Sequence, residues 1–341
     1  MEKKFKNGLV LGKFYPPHNG HLHLIDSAFE QSENVHVLMC SLESEIISGI
    51  DRFNWLTEIY KDNSNINIIH VTDENPQYPE EHPDFWEIWF YTVYNNIDEL
   101  DVVFTSEDYG DPFAKSLGIE HVLVDKDRTI VPISGTMVRD NPLNQWEFIP
   151  KVSRNYFQKK IVIIGAESTG KSTMVKKLAD HFKCKMIEEY GRTYTEPMDD
   201  LYELTVKDME NIATEHYYQV HRHDIDPTKL LFVDTESITT KVFSKIYVDD
   251  NFHSDIIDDI IKKQNYDLYF LLENDVPYIN DGNRLPESFR IISNRKLKEE
   301  LKNNNIDYIS ISGNYEERFE KIVDHIENKL SISKNIQYLS V

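Results

Sequence analysis

The sequence predicts two tandem α/β domains, each a mostly parallel sheet flanked by helices. Three observations carry that expectation. Short β-rich runs alternate with helically spaced segments almost throughout, the pattern of a parallel sheet covered on both faces. The alternation starts afresh at Lys160, after chain breakers at Asn141-Pro142 and Ile149-Pro150. The length of 341 residues exceeds one ordinary domain and suits two of roughly 150. The boundary is expected between Asn141 and Lys159, dividing residues 1–150 from 151–341, with Trp146 and Phe148 placed to pin the linker.

In the first half, Gly8–Phe14, Val35–Ser41, Ile66–Val71, Asp101–Ser106 and His121–Asp125 read as strands. His21–Gln31, Arg52–Lys61, Phe85–Ile97 and Pro112–Leu117 carry helical spacing between them. In the second half the strands are Ile161–Gly165, Met186–Glu189, Leu230–Thr235, Leu268–Glu273 and Ile306–Ser312. A helical stretch follows each, and Ser331–Val341 reads as an edge strand or a loose tail.

Composition narrows the function classes. A hydrophobic content of 40% with seventeen Phe and nineteen Tyr argues for two packed cores and against disorder. The formal net charge of −22 repels phosphate backbones at long range, so a nucleic-acid platform is not expected. Small anionic substrates stay admissible, because a metal ion and a few convergent cations override the global field inside a cleft. Cys40 and Cys184 lie far apart without metal-ligand spacing, as suits a reduced pair in the cytoplasm. The run Gly8 to Leu11 is too short for a signal peptide, and no stretch approaches the roughly 20 apolar residues of a membrane span.

The sharper chemical signal is Gly165-Ala166-Glu167-Ser168-Thr169-Gly170-Lys171-Ser172, a G-x-x-x-x-G-K-[ST] loop with a strand before it and the helical run Thr173–Phe182 after it. Its glycines let backbone N–H groups turn inward around phosphate oxygens at a helix N-terminus. Lys171 supplies a point charge for the β- and γ-phosphates, and Ser172 can reach Mg²⁺. Asp234 ends the apolar strand Leu230–Val233, where a Walker-B carboxylate would hold the metal's water shell, with Glu236 nearby. An Asp there can equally be a helix N-cap, a part Ser237 could also play. No guanine-reading N-K-x-D follows. Asp281, Arg284 and Arg290 instead suggest a lid that neutralises a transferring phosphoryl group. Glu189 and Arg192 follow the second strand of this half, where they could contact the sugar of an acceptor. Between Glu189 and Asp234 as recipient of the acceptor's proton, the residues do not choose.

The other phosphate site is read from Gly12-Lys13-Phe14-Tyr15-Pro16-Pro17-His18-Asn19-Gly20-His21, directly after the first strand. His18 and His21, three apart where a turn becomes a helix, can face one pocket, and Gly20 permits close backbone approach. Two histidines alone are weak evidence. Ile133-Ser134-Gly135-Thr136-Met137-Val138-Arg139 strengthens it: Ser134 is a plausible helix N-cap, and Thr136 and Arg139 add a hydroxyl and a cation for an anion. H-x-G-H with a distant I-S-x-T-x-x-R resembles the paired signature of nucleotidyltransferases that move AMP from ATP. A phosphate monoester acceptor is largely dianionic at neutral pH, so it needs alignment and charge stabilisation rather than a base. Class I aminoacyl-tRNA synthetases share H-x-G-H-like turns, but no K-M-S-K-S loop or basic surface accompanies it here.

Taken in order, G-K-F-Y-P-P-H-N-G-H, S-E-D-Y-G at Ser106–Gly110, I-S-G-T-M-V-R and G-A-E-S-T-G-K-S resemble the bifunctional NadR family over about Gly8 to Ile326. FAD synthetases share the first half, but their second half has no P-loop. The resemblance implies a Rossmann-like nucleotidyltransferase domain followed by a P-loop kinase domain, with nicotinamide-mononucleotide adenylyltransferase and ribosylnicotinamide kinase activities. It implies ATP with Mg²⁺, and nicotinamide riboside, nicotinamide mononucleotide and NAD as ligands. Longer members carry a preceding helix-turn-helix domain. With Gly12 eleven residues after Met1, no such domain and no DNA-binding role is expected. The cationic nicotinamide ring calls for an aromatic face, for which Trp86 and Trp89 are candidates, although two tryptophans three apart on a helix are more often core. Arg52 precedes a segment, Asn54-Trp55-Leu56, that also resembles the family and would place Arg52 near the first site. A single-activity adenylyltransferase and a non-catalytic nucleotide sensor remain as alternatives, and homo-oligomerisation stays open.

Overall fold

The computed structural model describes residues 3–199, 202–224, 226–276 and 287–332. The chain divides into two compact units, Met1–Arg154 and Asn155–Val341.

The first unit runs β1 (Phe5–Gly12), α1 (Asn19–Gln31), β2 (Ser32–Cys40), α2 (Gly49–Tyr60), β3 (Ile66–Val71), α3 (Phe85–Tyr94), β4 (Val102–Thr105), α4 (Gly110–Leu117), β5 (Glu120–Leu123) and α5 (Gly135–Asp140), with short 3₁₀ turns at Pro79–Glu81, Trp146–Phe148 and Lys151–Ser153. Its five strands order β3-β2-β1-β4-β5, every pair parallel. Both faces of the sheet are covered, which is why its strands read as near-continuous apolar runs. Val10 points into a core with Ile25, Ala28, Val37, Leu56 and Phe104. Its neighbour Leu9 points into the opposite one, with Leu38, Trp89, Val103 and Phe113. The strand order reverses direction at β1, so the carboxyl end of β1 opens onto the crevice where doubly wound sheets bind ligands.

The second unit runs α6 (Arg154–Phe157), β6 (Lys159–Gly165), α7 (Lys171–Phe182), β7 (Lys185–Ile187), α8 (Tyr190–Thr195), α9 (Val206–His221), β8 (Leu230–Asp234), α10 (Ser237–Tyr247), α11 (Asp255–Lys263), β9 (Leu268–Leu272), α12 (Glu287–Asn303), β10 (Ile309–Ile311) and α13 (Tyr315–Lys329). Its parallel order β10-β9-β6-β8-β7 puts the first strand in the middle and the loop after it at the second switch point. Val162, Ile164, Leu231, Val233, Tyr269 and Leu271 form one face of the core against α9, α10, α11 and α12. The last strand, expected over Ile306–Ser312, is only three residues long. Ser331–Val341 lies outside the described residues beyond Ile332.

Candidate active sites

After β1, the chain turns through Lys13 to Pro17, and Phe14 adopts φ 48°. His18 caps α1: its Nδ1 accepts the N–H of His21 at 3.3 Å. The two rings stack with centroids 3.7 Å apart and planes 17° from parallel. Phe14, fully buried in the core, lies 4.9 Å from the His21 ring and backs it from below. Gly20 suits this packing, because a Cβ there would come within 3.1 Å of the His18 ring and 3.2 Å of Ile133, tighter than ordinary contact. Burial first, and then the charge of Arg128, lower His18 to about 4. Burial, His18 and Arg128 push His21 well below its usual range. Both imidazoles are therefore neutral near pH 7, and each can offer an N–H rather than a positive charge.

Residues 133–139 meet this turn. Ser134 caps α5 by accepting from the Met137 N–H at 3.2 Å. Arg139, exposed, donates to the Tyr15 carbonyl at 2.5 Å and to the Thr136 hydroxyl at 3.0 Å, and its guanidinium lies 4.4 Å from the Tyr15 ring centre. Gly135 makes the approach feasible, since a Cβ would lie 2.6 Å from the Tyr15 carbonyl oxygen. Sequence elements more than a hundred residues apart thus converge at the carboxyl end of β1.

Arg52 is also drawn to the turn. Wholly buried, it donates to Lys13 O at 2.8 Å, to Ser48 O at 3.2 Å and to Glu45 at 2.5 Å. Lys13 reaches the other Glu45 oxygen at 3.1 Å. Burial alone would raise the Glu45 carboxyl, but the Leu42 N–H, Arg52 and Lys13 together hold it below the usual carboxylate range. The two tryptophans part ways. Trp89 is core, its indole N–H donating to Pro76 O at 3.0 Å, and the partly buried Trp86 packs on the same cluster. Neither Glu45 nor Arg128 was singled out by sequence. Arg128 belongs to a loop that carries no motif and is held by Asp125, whose carboxylate accepts the N–H groups of Thr129, Ile130 and Val131.

In the second unit, Gly165 (φ 154°), Ser168 (φ 60°) and Gly170 (φ 88°) bend the loop between β6 and α7. A Cβ at Gly165 would lie 2.9 Å from both Leu272 O and the Thr169 hydroxyl, so the loop closes tightly against β9. Thr169 donates to Ala166 O at 2.8 Å, and the buried Lys171 ammonium folds onto the same carbonyl at 3.1 Å. Thr173 lies exposed on the first turn of α7.

Asp234 ends β8 beside this loop, 1% exposed, and its Oδ1 is buried with no hydrogen-bond partner. Burial raises its carboxyl, while Lys171 and the Ser172 hydroxyl oppose the shift. It is not a helix cap: Glu236 caps α10, accepting from Ile238 at 2.8 Å and Thr239 at 3.0 Å. Among the described residues no three His, Cys, Asp or Glu side chains group to hold a metal. The donor set of Ser172 and Asp234 therefore suits an ion that brings phosphate oxygens and water as its remaining ligands.

A cavity of about 870 Å³ opens from the loop, lined by Ser168, Lys171 and Ser172 and by the aromatic rings of Tyr190, Tyr202 and Phe243, the last 5.9 Å from the Lys171 ammonium. Glu189 and Arg192 also line it, 3.8 Å apart, and Arg192 reaches the Ser172 hydroxyl at 3.5 Å. Arg290 does not line it. It is buried in α12 and donates to Val276 O at 3.2 Å. Asp281 and Arg284 lie outside the described residues. Sequence reasoning also missed Arg318. This buried side chain donates to Thr169 O of the phosphate loop at 3.3 Å and to Glu273 O at 2.8 Å, and pairs with Asp275.

A parallel sheet with H-x-G-H at its switch point, then a second with a phosphate loop at its own, defines a nucleotidyltransferase-plus-P-loop class of protein. The family comparisons agree: residues 9–141 match the cytidylyltransferase-like family and residues 160–318 the AAA domain family. The chain is 33% identical over 345 residues to the trifunctional NAD biosynthesis/regulator protein NadR of Salmonella typhimurium, covering 95% of this chain and 83% of that one. The Escherichia coli K12 protein of the same description matches at 33% over 348 residues, with the same coverage. The chain belongs to the NadR family. Its fold is that of crystal structures of NadR protein in complex with NR, and with NAD and AMP-PNP. Each matches with a TM-score of 0.77 at 24% identity, across all of this chain and 99% or more of the other. Among the described residues no helix is long and apolar enough to cross a membrane.

Proposed function

We propose that the chain is a bifunctional enzyme of NAD synthesis. Its first domain, residues 1–150, transfers AMP from ATP to nicotinamide mononucleotide, giving NAD and pyrophosphate. Its second, residues 151–341, phosphorylates nicotinamide riboside with ATP. The observation that carries the reading is the convergence of Arg139 with the His18–His21 turn at one switch point, in a chain whose other switch point holds Lys171.

In the first reaction a phosphate oxygen of the mononucleotide attacks the α-phosphorus of ATP in line. The bond to the β-phosphate bridging oxygen breaks, and pyrophosphate leaves. Gly12 and Gly20 leave room at the turn, and Phe14 keeps the His21 ring in place. His18 and His21, held neutral, donate N–H groups to the developing charge, and Lys13 and Arg139 supply positive charge. Ser134 and Thr136 orient the segment that carries Arg139. Arg52 acts indirectly, by fixing Lys13 and Glu45.

In the second reaction the riboside hydroxyl attacks the γ-phosphorus, and ADP leaves. The 165–173 loop cradles the phosphates, and Lys171 leaves the Ala166 carbonyl to meet them. Ser172 and the unpartnered Asp234 Oδ1 would hold Mg²⁺, whose chemistry is to neutralise phosphate oxygens. With Asp234 engaged there, Glu189 receives the hydroxyl proton, and Arg192 faces the transferring group. Small-molecule chemistry in the cytoplasm, without nucleic acid, suits a chain of net charge −22.

The test is a product assay with Mg-ATP, offering riboside and mononucleotide in separate tubes. NAD and pyrophosphate from the mononucleotide, with mononucleotide and ADP from the riboside, are expected. Product from one tube alone would leave a single-activity enzyme. Tight ATP binding without product would leave a nucleotide sensor.

A further inference from the structure

A carboxylate inside a phosphate-binding loop is an electrostatic anomaly, because the loop exists to collect the negative charge of a nucleotide. Glu167 is such a residue, third in the loop, and its side chain has a definite destination. The Tyr247 hydroxyl, at the end of α10, donates to Glu167 Oε2 at 3.3 Å. Tyr247 feels Glu189 as well. Burial, then Glu167, then Glu189 all keep its phenol protonated. Glu167, Glu189 and Tyr247 line the same cavity, together with the aromatic rings of Tyr190, Tyr202 and Phe243.

The cations of that cavity are Lys171, on Ala166 O of the loop, and Arg192, 3.5 Å from the Ser172 hydroxyl and 3.8 Å from Glu189. The lining also carries three carboxylates, Glu167, Glu189 and Asp199, and several aromatic faces, and no Lys or Arg beyond those two lines it among the described residues. An anionic, aromatic wall attracts a cation and has no group to neutralise a second phosphate or a carboxylate.

We propose that Glu167, held by Tyr247, belongs to the acceptor side of the kinase site and sets its preference for a positively charged riboside. The inference rests on the kinase reading given above and deepens it. Glu167 turns away from the nucleotide and lends its charge to the wall that faces the cationic ring. Tyr247 is a positioning residue: it keeps the carboxylate off the phosphates and on the acceptor side.

The experiment compares Glu167→Gln and Tyr247→Phe with the unaltered full chain. Two acceptors are used, nicotinamide riboside and benzamide riboside, which has the same carboxamide ring without the charge. Unaltered protein that phosphorylates neither acceptor overturns the kinase reading itself. Given activity, Glu167→Gln is expected to raise KM for nicotinamide riboside by about tenfold, as suits loss of a charge-assisted contact. KM for ATP should move by less than about twofold, and the preference for the charged acceptor should shrink by a similar tenfold. Tyr247→Phe should show the same pattern at about threefold. Urea unfolding of the second unit, compared with that of the unaltered chain, reports whether each variant is folded. Equal losses for both acceptors, a parallel rise in KM for ATP, or a fall in kcat at unchanged KM would each overturn the assignment.

Discussion

Arg139 and Tyr15 are joined twice over. The guanidinium donates to the Tyr15 carbonyl at 2.5 Å and lies 4.4 Å from the centre of the Tyr15 ring. One planar, five-donor group thus grips the turn while keeping N–H groups for a ligand. A lysine has neither the fork nor the flat face. Arg139→Lys is therefore expected to lower kcat for NAD formation by about 100-fold, the scale of losing one preorganised electrostatic donor. Steady-state kinetics check it, and retention of more than about a third of wild-type kcat would show that the charge alone suffices.

The two sites belong to separate compact units, Met1–Arg154 and Asn155–Val341, and should fail independently. His18→Ala is expected to abolish NAD formation while leaving riboside phosphorylation intact. Lys171→Ala should do the reverse, because the ammonium that folds onto Ala166 O has no substitute in the loop. Separate product assays read both. Loss of both activities from either change would mean the activities are not assigned to separate sites.

What was legible in the sequence was local. The strands announced themselves through apolar runs such as Ile161–Ile164, and the phosphate loop through a fixed spacing that any strand–helix turn must satisfy to wrap an anion. Arg139 was found because it carries a motif. Arg318 and Arg128 carry none. Arg318 gains its role only when α13 brings it to Thr169 O, 149 residues away in sequence. Glu45 was silent for the same reason, as its partners Lys13 and Arg52 lie on either side of β2. Trp86 and Trp89 were ambiguous because a helical spacing of three serves a core as well as a ligand. Burial of Trp89 and the bond from its indole N–H to Pro76 O place that residue in the core.

The Arg52–Glu45 pair is buried at 0% and 7% side-chain exposure, so removing Arg52 takes away the buried cation and leaves Glu45 with the half-exposed Lys13 as its remaining ion-pair partner. Arg52→Met is expected to destabilise the first unit by about 3–5 kcal/mol, the usual effect of breaking a buried pair. The second unit has no part in this contact. Heating should therefore abolish adenylyltransferase activity at a lower temperature than in the unaltered protein, with the kinase loss temperature unchanged. Thermal inactivation curves for the two activities check it. A common shift of both curves would show that the units unfold as one.

Acid should weaken each unit through its buried histidines. His18 in the first unit and His216 in the second are both lowered to about 4, each chiefly by burial. In the unfolded chain a histidine titrates near 6.5, so between about pH 6.5 and 4 the unfolded state binds the extra proton and the folded state does not. The favourable balance is complete above about pH 6.5 and is lost as pH falls towards 4, after which the contribution levels off. Each histidine adds a slope of up to about 1.4 kcal/mol per pH unit inside that window. Replacing one with a neutral residue removes its share whatever the substitution does to absolute stability. His216→Gln should accordingly flatten the pH dependence of kinase-unit unfolding between pH 6.5 and 4.5, followed by urea denaturation at fixed pH. An unchanged slope would mean that His216 is already charged in the folded protein, or that acid acts through the carboxylates instead.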